Sequence, residues 1–392
     1  MDNIRVKDAT YIAGTYARQD VCFVKGAGSY LYDESGKEYI DLGSGIGVTA
    51  FGHADAMWAA AVKAQVDTLS HVSNLYHTLP QVELAEKLCA KTGMKKVFFS
   101  NSGAEANECA IKATRKYSVD KYGKERNVIL TMENSFHGRT LATLSATGQE
   151  SMHTHFYPFV EGFLHIPAND IEAFYTAASK ENVCAVMFEP ILGESGVNPL
   201  EESYVKAVTA FAEEHDLLVV VDEVQTGNGR TGTLYGYMHF GIEPDIVSTA
   251  KGLAGGLPLG ATMFNEKTEG VLTTGTHGST FGGNPVSAAG AVTIVDRLDD
   301  ALLQAVAEKG EYVVDALTDS PGVVNVTGLG LMLGIEIEGD AKAVIRECLA
   351  HGVVVLSAKE KLRLLPALNI PQVALERAVG ILKQVIAEAV PK

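Results

Sequence analysis

The stretch Leu217-Leu218-Val219-Val220-Val221-Asp222-Glu223-Val224-Gln225 is an unbroken aliphatic run that stops at an acid. Apolar residues at every position, without alternation, are what a strand buried on both faces requires, and such strands belong to helix-covered parallel sheets. Ligands of open parallel sheets bind at the carboxyl ends of the strands, which puts Asp222 at the edge of a crevice. A second run, Asp245-Ile246-Val247-Ser248-Thr249-Ala250, ends in Lys251-Gly252. Two neighbouring strand tips then carry an acid and a lysine into one pocket. An aldehyde cofactor held on a lysine needs that pair, with the carboxylate at its pyridine nitrogen. An ordinary ion pair needs the same two residues. The surrounding segments have to decide.

Upstream, Val97-Phe98-Phe99-Ser100, Val128-Ile129-Leu130-Thr131 and Val183-Cys184-Ala185-Val186-Met187-Phe188 read as further buried strands. Ala104 to Tyr122 and Tyr204 to Glu214 have helical spacing. Strands separated by helix-length segments imply a mainly parallel sheet with helices on both faces. Before it, Val21 to Asp41 reads as a β-meander, the glycine-rich loop Gly43 to Gly47 follows, and helices begin near Ala54 and Pro80. After Pro285 one long helical pattern runs to about Leu317. Short strands at Leu331 to Glu336, Val353 to Val355 and Leu362 to Leu364, with two more helices, make a smaller α+β unit. The expected organisation is an N-terminal segment over 1–55 that joins the small domain, a large domain over 56–285, and a small C-terminal domain over 286–392.

The 392 residues suffice for two or three domains at about 150 residues each. Lysine plus arginine number 32 against 48 acids, a net charge of -16, which argues against nucleic acid as a partner. Five scattered cysteines without Cys-x-x-Cys spacing read as reduced thiols. The polar start Met1-Asp2-Asn3-Ile4-Arg5 lacks the apolar region of a signal peptide, and no apolar run approaches about 20 residues. A cytoplasmic protein without a membrane segment is expected.

Asn101-Ser102-Gly103-Ala104-Glu105-Ala106-Asn107 joins the Val97 strand to the long helix. Small residues at a helix start expose amide groups to which a phosphate can come close, although a plain N-cap turn has the same composition. In Phe136-His137-Gly138-Arg139-Thr140 the aromatic can lie on a ring and the arginine can clamp a carboxylate, yet neither is unusual in a loop. Gly227-Asn228-Gly229-Arg230-Thr231-Gly232 matches the dinucleotide fingerprint and supplies a rival, a nicotinamide dehydrogenase. Its context fails, because five residues separate the strand from the first glycine and the following Thr233 to Tyr237 starts a helix poorly. His153, His155 and His165 lack a carboxylate or cysteine at ligand spacing, so no metal site is expected. No Walker loop or Gly-x-Ser-x-Gly elbow is present.

Together, Ser102 to Asn107, Phe136 to Thr140, Glu189-Pro190-Ile191, Asp222 to Gly227, Lys251-Gly252 and Gly278-Ser279-Thr280-Phe281-Gly282-Gly283-Asn284-Pro285 resemble the class III aminotransferases, in that family's order and over nearly the whole chain. The resemblance implies a pyridoxal-phosphate-dependent transferase of fold type I, with a mostly parallel seven-stranded sheet flanked by helices in the large domain. It implies Lys251 as the Schiff-base lysine and Asp222 as the partner of the pyridine nitrogen. Gln225 is implied at the ring hydroxyl, Phe136 stacked on the ring, Val224 beside it, and Ser102, Gly103 and Ala104 at the phosphate. Thr280 is implied at the phosphate of the other subunit's cofactor, so active sites are shared in a homodimer.

For substrates, Arg363 resembles the arginine that takes the α-carboxylate of glutamate, and Glu194 the acid that pairs with it when the other substrate is bound. Arg139 is implied at the distant carboxylate, with Ser279 also at the substrate. Within the family, ornithine δ-aminotransferases carry a tyrosine where this chain has Ile46. An apolar residue there suits an acylated amine, because a free ammonium would go unpaired. His71-Val72-Ser73-Asn74 and Gly328 to Gly334 are similar to the branch acting on acetylornithine and 2-oxoglutarate in arginine biosynthesis. Leu192, where the family usually has glutamine, and Ala367, where a second proline is common, depart from the pattern near the substrate end. Succinylornithine, ornithine, 4-aminobutyrate and succinyl-diaminopimelate remain alternative amines.

Overall fold

Leu218–Asp222 and Val183–Phe188 are buried at every residue, as uninterrupted apolar runs demand. In the computed structural model, which describes residues 2–389, they are inner strands of a seven-stranded sheet. Its order is Lys96–Ser100, Gly260–Phe264, Ile246–Thr249, Leu218–Asp222, Val183–Phe188, Val128–Met132, Phe163–Ile166. Gly260–Phe264 runs antiparallel to both of its neighbours, and the other pairings are parallel. Alternate residues of each inner strand serve opposite faces. Leu218 and Val220 pack under helix Gly103–Tyr122 with Cys109, Ala110 and Ile111. Val219 and Val221 face the other core, with Leu84, Phe174 and Val208.

A second core gathers Ile40, Leu42, Ala50 and Phe51 with Leu333, Leu362, Leu375 and Leu382. Val323–Leu329, Met332–Ile337, Lys361–Leu364 and Leu356–Ala358 form one of its sheets. The N-terminal meander, Phe23–Ala27, Tyr30–Asp33 and Glu38–Asp41, is continued by Val353–Val354, which pairs parallel with Glu38–Asp41. The first fifty residues and the last hundred therefore share hydrogen bonds as well as apolar contacts.

Two sheet strands were not legible as such. Gly260–Phe264 is short, follows Gly256-Leu257-Pro258, and enters antiparallel immediately after the lysine tip. Phe163–Ile166 is an edge strand with a histidine in it. The helical pattern after Pro285 is two helices, Pro285–Asp296 and Asp300–Leu317. Asp299 breaks the pattern by capping the second helix, its carboxylate accepting the Leu302 amide at 2.9 Å. A helix at Asp2–Tyr11 was not expected either. Among the described residues, no helix is long and apolar enough to cross a membrane.

Candidate active site

The carboxyl ends of the inner strands open into a pocket of about 370 Å³. Asp222 is the last residue of its strand and is buried. Its Oδ2 accepts Asn107 Nδ2 at 2.7 Å and lies 2.8 Å from His137 Nδ1, while Oδ1 accepts the Val224 amide at 3.0 Å. Asn107 is fixed in turn: it donates to the His137 carbonyl and accepts the Ser248 hydroxyl. A buried carboxylate with this many donors stays where the fold puts it.

Lys251 follows the neighbouring strand and lines the same pocket. Its φ of 42° is left-handed, a conformation that a lysine adopts only under constraint from its surroundings. Burial is the largest influence on its amine and pulls it down to about 8, with Arg363 pushing the same way. The neutral amine that a nucleophile or base must be is therefore accessible near neutrality.

Opposite, helix Gly103–Tyr122 begins at the pocket wall. Ser102 caps it, Oγ accepting the Glu105 amide at 3.2 Å. The first helical amides have no partner inside the helix and carry the positive end of its dipole. That end is an anion site, and Gly103 and Ala104 line it. Gly260 of the antiparallel strand presses on the Ser102 carbonyl, where a β-carbon would come within 2.4 Å.

Glu194, Arg363 and Gln225 form a third cluster. Arg363, buried on strand Lys361–Leu364, donates Nη1 to Glu194 Oε1 at 2.7 Å and to Gln225 Oε1 at 3.2 Å. Gln225 Nε2 donates to Glu194 Oε1 at 2.9 Å. Burial, the largest influence, works to raise the Glu194 carboxyl, but Arg363 together with Lys251 and Gln225 outweighs it and holds the group below the usual carboxylate range. Glu189, also in the pocket wall, is raised by burial to about 7.

A family model described as aminotransferase class-III matches residues 11–386. The chain belongs to the class-III aminotransferases. An acetylornithine aminotransferase of Haemophilus ducreyi is 49% identical over 99% of both chains. One of Caldanaerobacter subterraneus is 44% identical over 96% of this chain and 98% of its own. Among solved structures, an ornithine aminotransferase of Toxoplasma gondii superimposes with a TM-score of 0.94 at 29% identity, covering 99% of this chain and 94% of its own. An N-acetylornithine aminotransferase of Stenotrophomonas maltophilia does so with a TM-score of 0.84 at 33% identity, covering 95% and 97%. The fold is that of the pyridoxal-phosphate-dependent transferases of type I.

In this class-III aminotransferase, Ser102, Gly103, Ala104, Phe136, Asp222, Val224, Gln225 and Lys251 all line one pocket. Glu194 and Arg363 adjoin it through Gln225. Ser279 adjoins it through Asn101, whose Nδ2 donates to the Ser279 hydroxyl at 3.3 Å. Arg139 is exposed, with its guanidinium over the Phe136 ring at 5.6 Å. Thr280 is exposed and does not line the pocket. Leu192 and Ala367 are buried, Leu192 in the core of the large sheet, and neither lines the pocket. Ile46 is 42% exposed in a left-handed turn beside Val48, which does line it.

The class-III aminotransferase uses its dinucleotide-like segment for packing. No α-helix starts at Gly227 to Gly232, and only a short 3-10 helix, Gly236–Phe240, comes next; Arg230 is buried and donates to the carbonyls of Leu331 and Pro366. His153 and His165 contact main-chain carbonyls of Leu144 and Ser145. Four polar pocket residues carry no role in the sequence reading: Asn101, Asn107, His137 and Glu189. Each stood inside a quoted motif, and a polar residue on the apolar face of a helix was the available signal for Asn107.

Proposed function

We propose that this chain transfers the terminal amino group of N²-acetylornithine to 2-oxoglutarate, using pyridoxal phosphate on Lys251. The observation that carries the reading is the single pocket lined by Lys251, Asp222 and the start of helix Gly103–Tyr122. Those are the three anchors the cofactor needs: an amine, an anion for a pyridine nitrogen and a phosphate cradle. When bound, pyridoxal phosphate supplies an aldehyde that holds the substrate amine and a ring that takes up the electron pair left when a proton is removed.

The protein's own part follows from its groups. Asp222, held by Asn107 and facing His137, keeps a negative charge where the ring N–H is to sit. Lys251 Nζ, lowered to about 8, accepts the substrate proton and returns it. Phe136 would cover the ring face, and Gln225, whose Nε2 also donates to Glu194, would donate to its hydroxyl. Glutamate and acetylornithine react in turn, so one pocket meets a carboxylate beside the reacting amine and then one far from it. Glu194 masks Arg363 for acetylornithine and leaves it for glutamate, while Arg139 takes the distant carboxylate. The Arg363–Glu194 contact at 2.7 Å supports this masking.

The same proposal has a homodimer, with Thr280 and Ser279 at its interface and Thr280 reaching the partner's phosphate site. The strongly exposed Leu75, Tyr76, Leu79 and Phe281 support it, because a second copy would cover them. It also divides the chain near residues 55 and 285, and has it act in the cytoplasm.

The test is a spectrum of the cofactor-loaded protein, with its band near ~420 nm, during stepwise addition of acetylornithine, ornithine, succinylornithine and 4-aminobutyrate. Acetylornithine should discharge the band fastest. A faster response to ornithine would move the substrate assignment, and absence of the band would sink the whole reading.

A further inference from the structure

Glu189 is 4% exposed and, among the described residues, no cation is in hydrogen-bond contact with it. Its two oxygens are nevertheless both occupied. Oε1 accepts the Phe136 amide at 2.8 Å, and Oε2 accepts the Gly193 amide at 3.3 Å. These amides belong to different parts of the site. Phe136 lines the pocket from the loop after strand Val128–Met132. Gly193 immediately precedes Glu194, and its carbonyl accepts Arg363 Nη1 at 3.4 Å.

Gly193 is held tightly on its other side too. A β-carbon there would stand 2.7 Å from Gln225 Oε1, so the residue is wedged between Glu189 and Gln225. Glu194 hangs from the backbone immediately after this fixed point, so the position of Gly193 sets where its side chain starts. A carboxylate is the one side chain of this length that offers two acceptor oxygens and no donor, which is what two convergent N–H groups require. Glutamine would present one acceptor and one NH₂, and the NH₂ would face an amide N–H.

We propose that Glu189 is a positioning residue that ties the Phe136 wall to the backbone just before Glu194, so that ring cover and the arginine mask keep one register. The proposal rests on the reading of Glu194 as a movable acid. It gives Glu189 no contact with reacting atoms.

The test is Glu189→Gln, which preserves volume, with Glu189→Asp beside it. Amide hydrogen exchange on the cofactor-free protein reads the tether directly, at pH 8 or above where a carboxyl raised to about 7 is ionised. In Glu189→Gln the Phe136 or Gly193 amide should exchange about tenfold faster, the loss of one hydrogen bond to a charged group. In the loaded enzyme the acetylornithine half-reaction should slow several-fold more than the glutamate half-reaction, because a loosened Glu194 masks Arg363 less well. Glu189→Asp, with two oxygens on a shorter stem, should restore part of the protection at one amide. Unchanged exchange at both amides overturns the proposal, as does raised exchange with equal slowing of both half-reactions while Glu194→Ala is asymmetric. If Glu194→Ala itself slows both equally, the masking reading fails, and raised exchange in Glu189→Gln still supports the tether.

Discussion

Gly103 and Val224 meet without room for another atom: a β-carbon on Gly103 would stand 2.6 Å from Val224 Cγ1 and 2.9 Å from Cγ2. Val224 cannot retreat freely, because its amide is bonded to Asp222 Oδ1. Gly103→Ala therefore pushes the helix start and the Asp222 tip apart. Overpacking of this kind costs about 1–3 kcal/mol. Cofactor affinity of the apoprotein, measured by titration, should fall about tenfold or more. Gly103→Ala combined with Val224→Ala should recover most of it. Equal losses in the single and double variants would remove the steric account.

Lys251 leads to a prediction about the cofactor-free protein. Burial lowers its amine from 10.5 to about 8, so the folded state disfavours the ammonium. A lysine with a depressed folded value destabilises fully below that value, and the penalty vanishes above 10.5. Lys251→Ala should thus stabilise the apoprotein at pH 7 by roughly 1–3 kcal/mol, and the gain should shrink between pH 8 and 10.5. Denaturant unfolding at pH 7 and pH 10 checks it. A gain independent of pH would point to packing instead of charge.

How much of this was visible in the chain differs by scale. The inner strands were legible because burial on both faces leaves Leu217 to Val221 no polar residue. Gly260–Phe264 was not, since five mixed residues with a glycine look like loop until a neighbouring strand is known. Lys251 and Asp222 could be paired from sequence because both end apolar runs. What stayed hidden is the web behind them: Asn107, His137 and Glu189 are polar residues with partners as far as 141 positions away in the chain. Arg230 is the opposite case. Its glycine-rich setting suggested a phosphate loop, and only the tertiary packing gives its guanidinium to the carbonyls of Leu331 and Pro366.

Glu223, beside Asp222, is fully buried, and burial raises its carboxyl from 4.5 to about 7 against the donors Thr226, Gly236 and Tyr237. An acid with a raised folded value contributes stability below its unfolded value, and this is lost as pH rises through the folded one. The relevant window is therefore pH 4.5 to 7. His165, His239 and His277, all held low by burial, act in the opposite sense below 6.5. A comparison with Glu223→Gln isolates the glutamate. Wild-type stability relative to that variant should decline by roughly 1–3 kcal/mol between pH 5 and pH 8. A difference that is flat across this range would show that Glu223 ionises normally.

Asn107 offers the sharpest exchange of one atom for another. Its Nδ2 donates to Asp222 Oδ2 at 2.7 Å and to the His137 carbonyl at 2.8 Å, and its Oδ1 accepts the Ser248 hydroxyl. Asn107→Asp keeps the shape and replaces the donor by a second carboxylate oxygen. Two buried carboxylates at that distance cannot both be ionised, so the pair must retain a proton to well above the usual carboxylate range. At low pH the shared proton restores a hydrogen bond between them, and the fold tolerates the change. As pH rises the proton is lost and repulsion appears, destabilising the protein by about 3 kcal/mol or more. Activity relative to wild type should therefore fall as pH rises from 6 to 9, the reverse of what failing deprotonation of Lys251 would give. Stability by denaturant unfolding should fall in parallel. Asn107→Ala leaves the Ser248 hydroxyl and the His137 carbonyl unpaired and takes one donor from Asp222 Oδ2, which keeps the His137 ring beside it, so its loss of stability should depend on pH much less than that of Asn107→Asp. If both variants show the same pH profile, Asn107 is not the group that holds the charge of Asp222 in place.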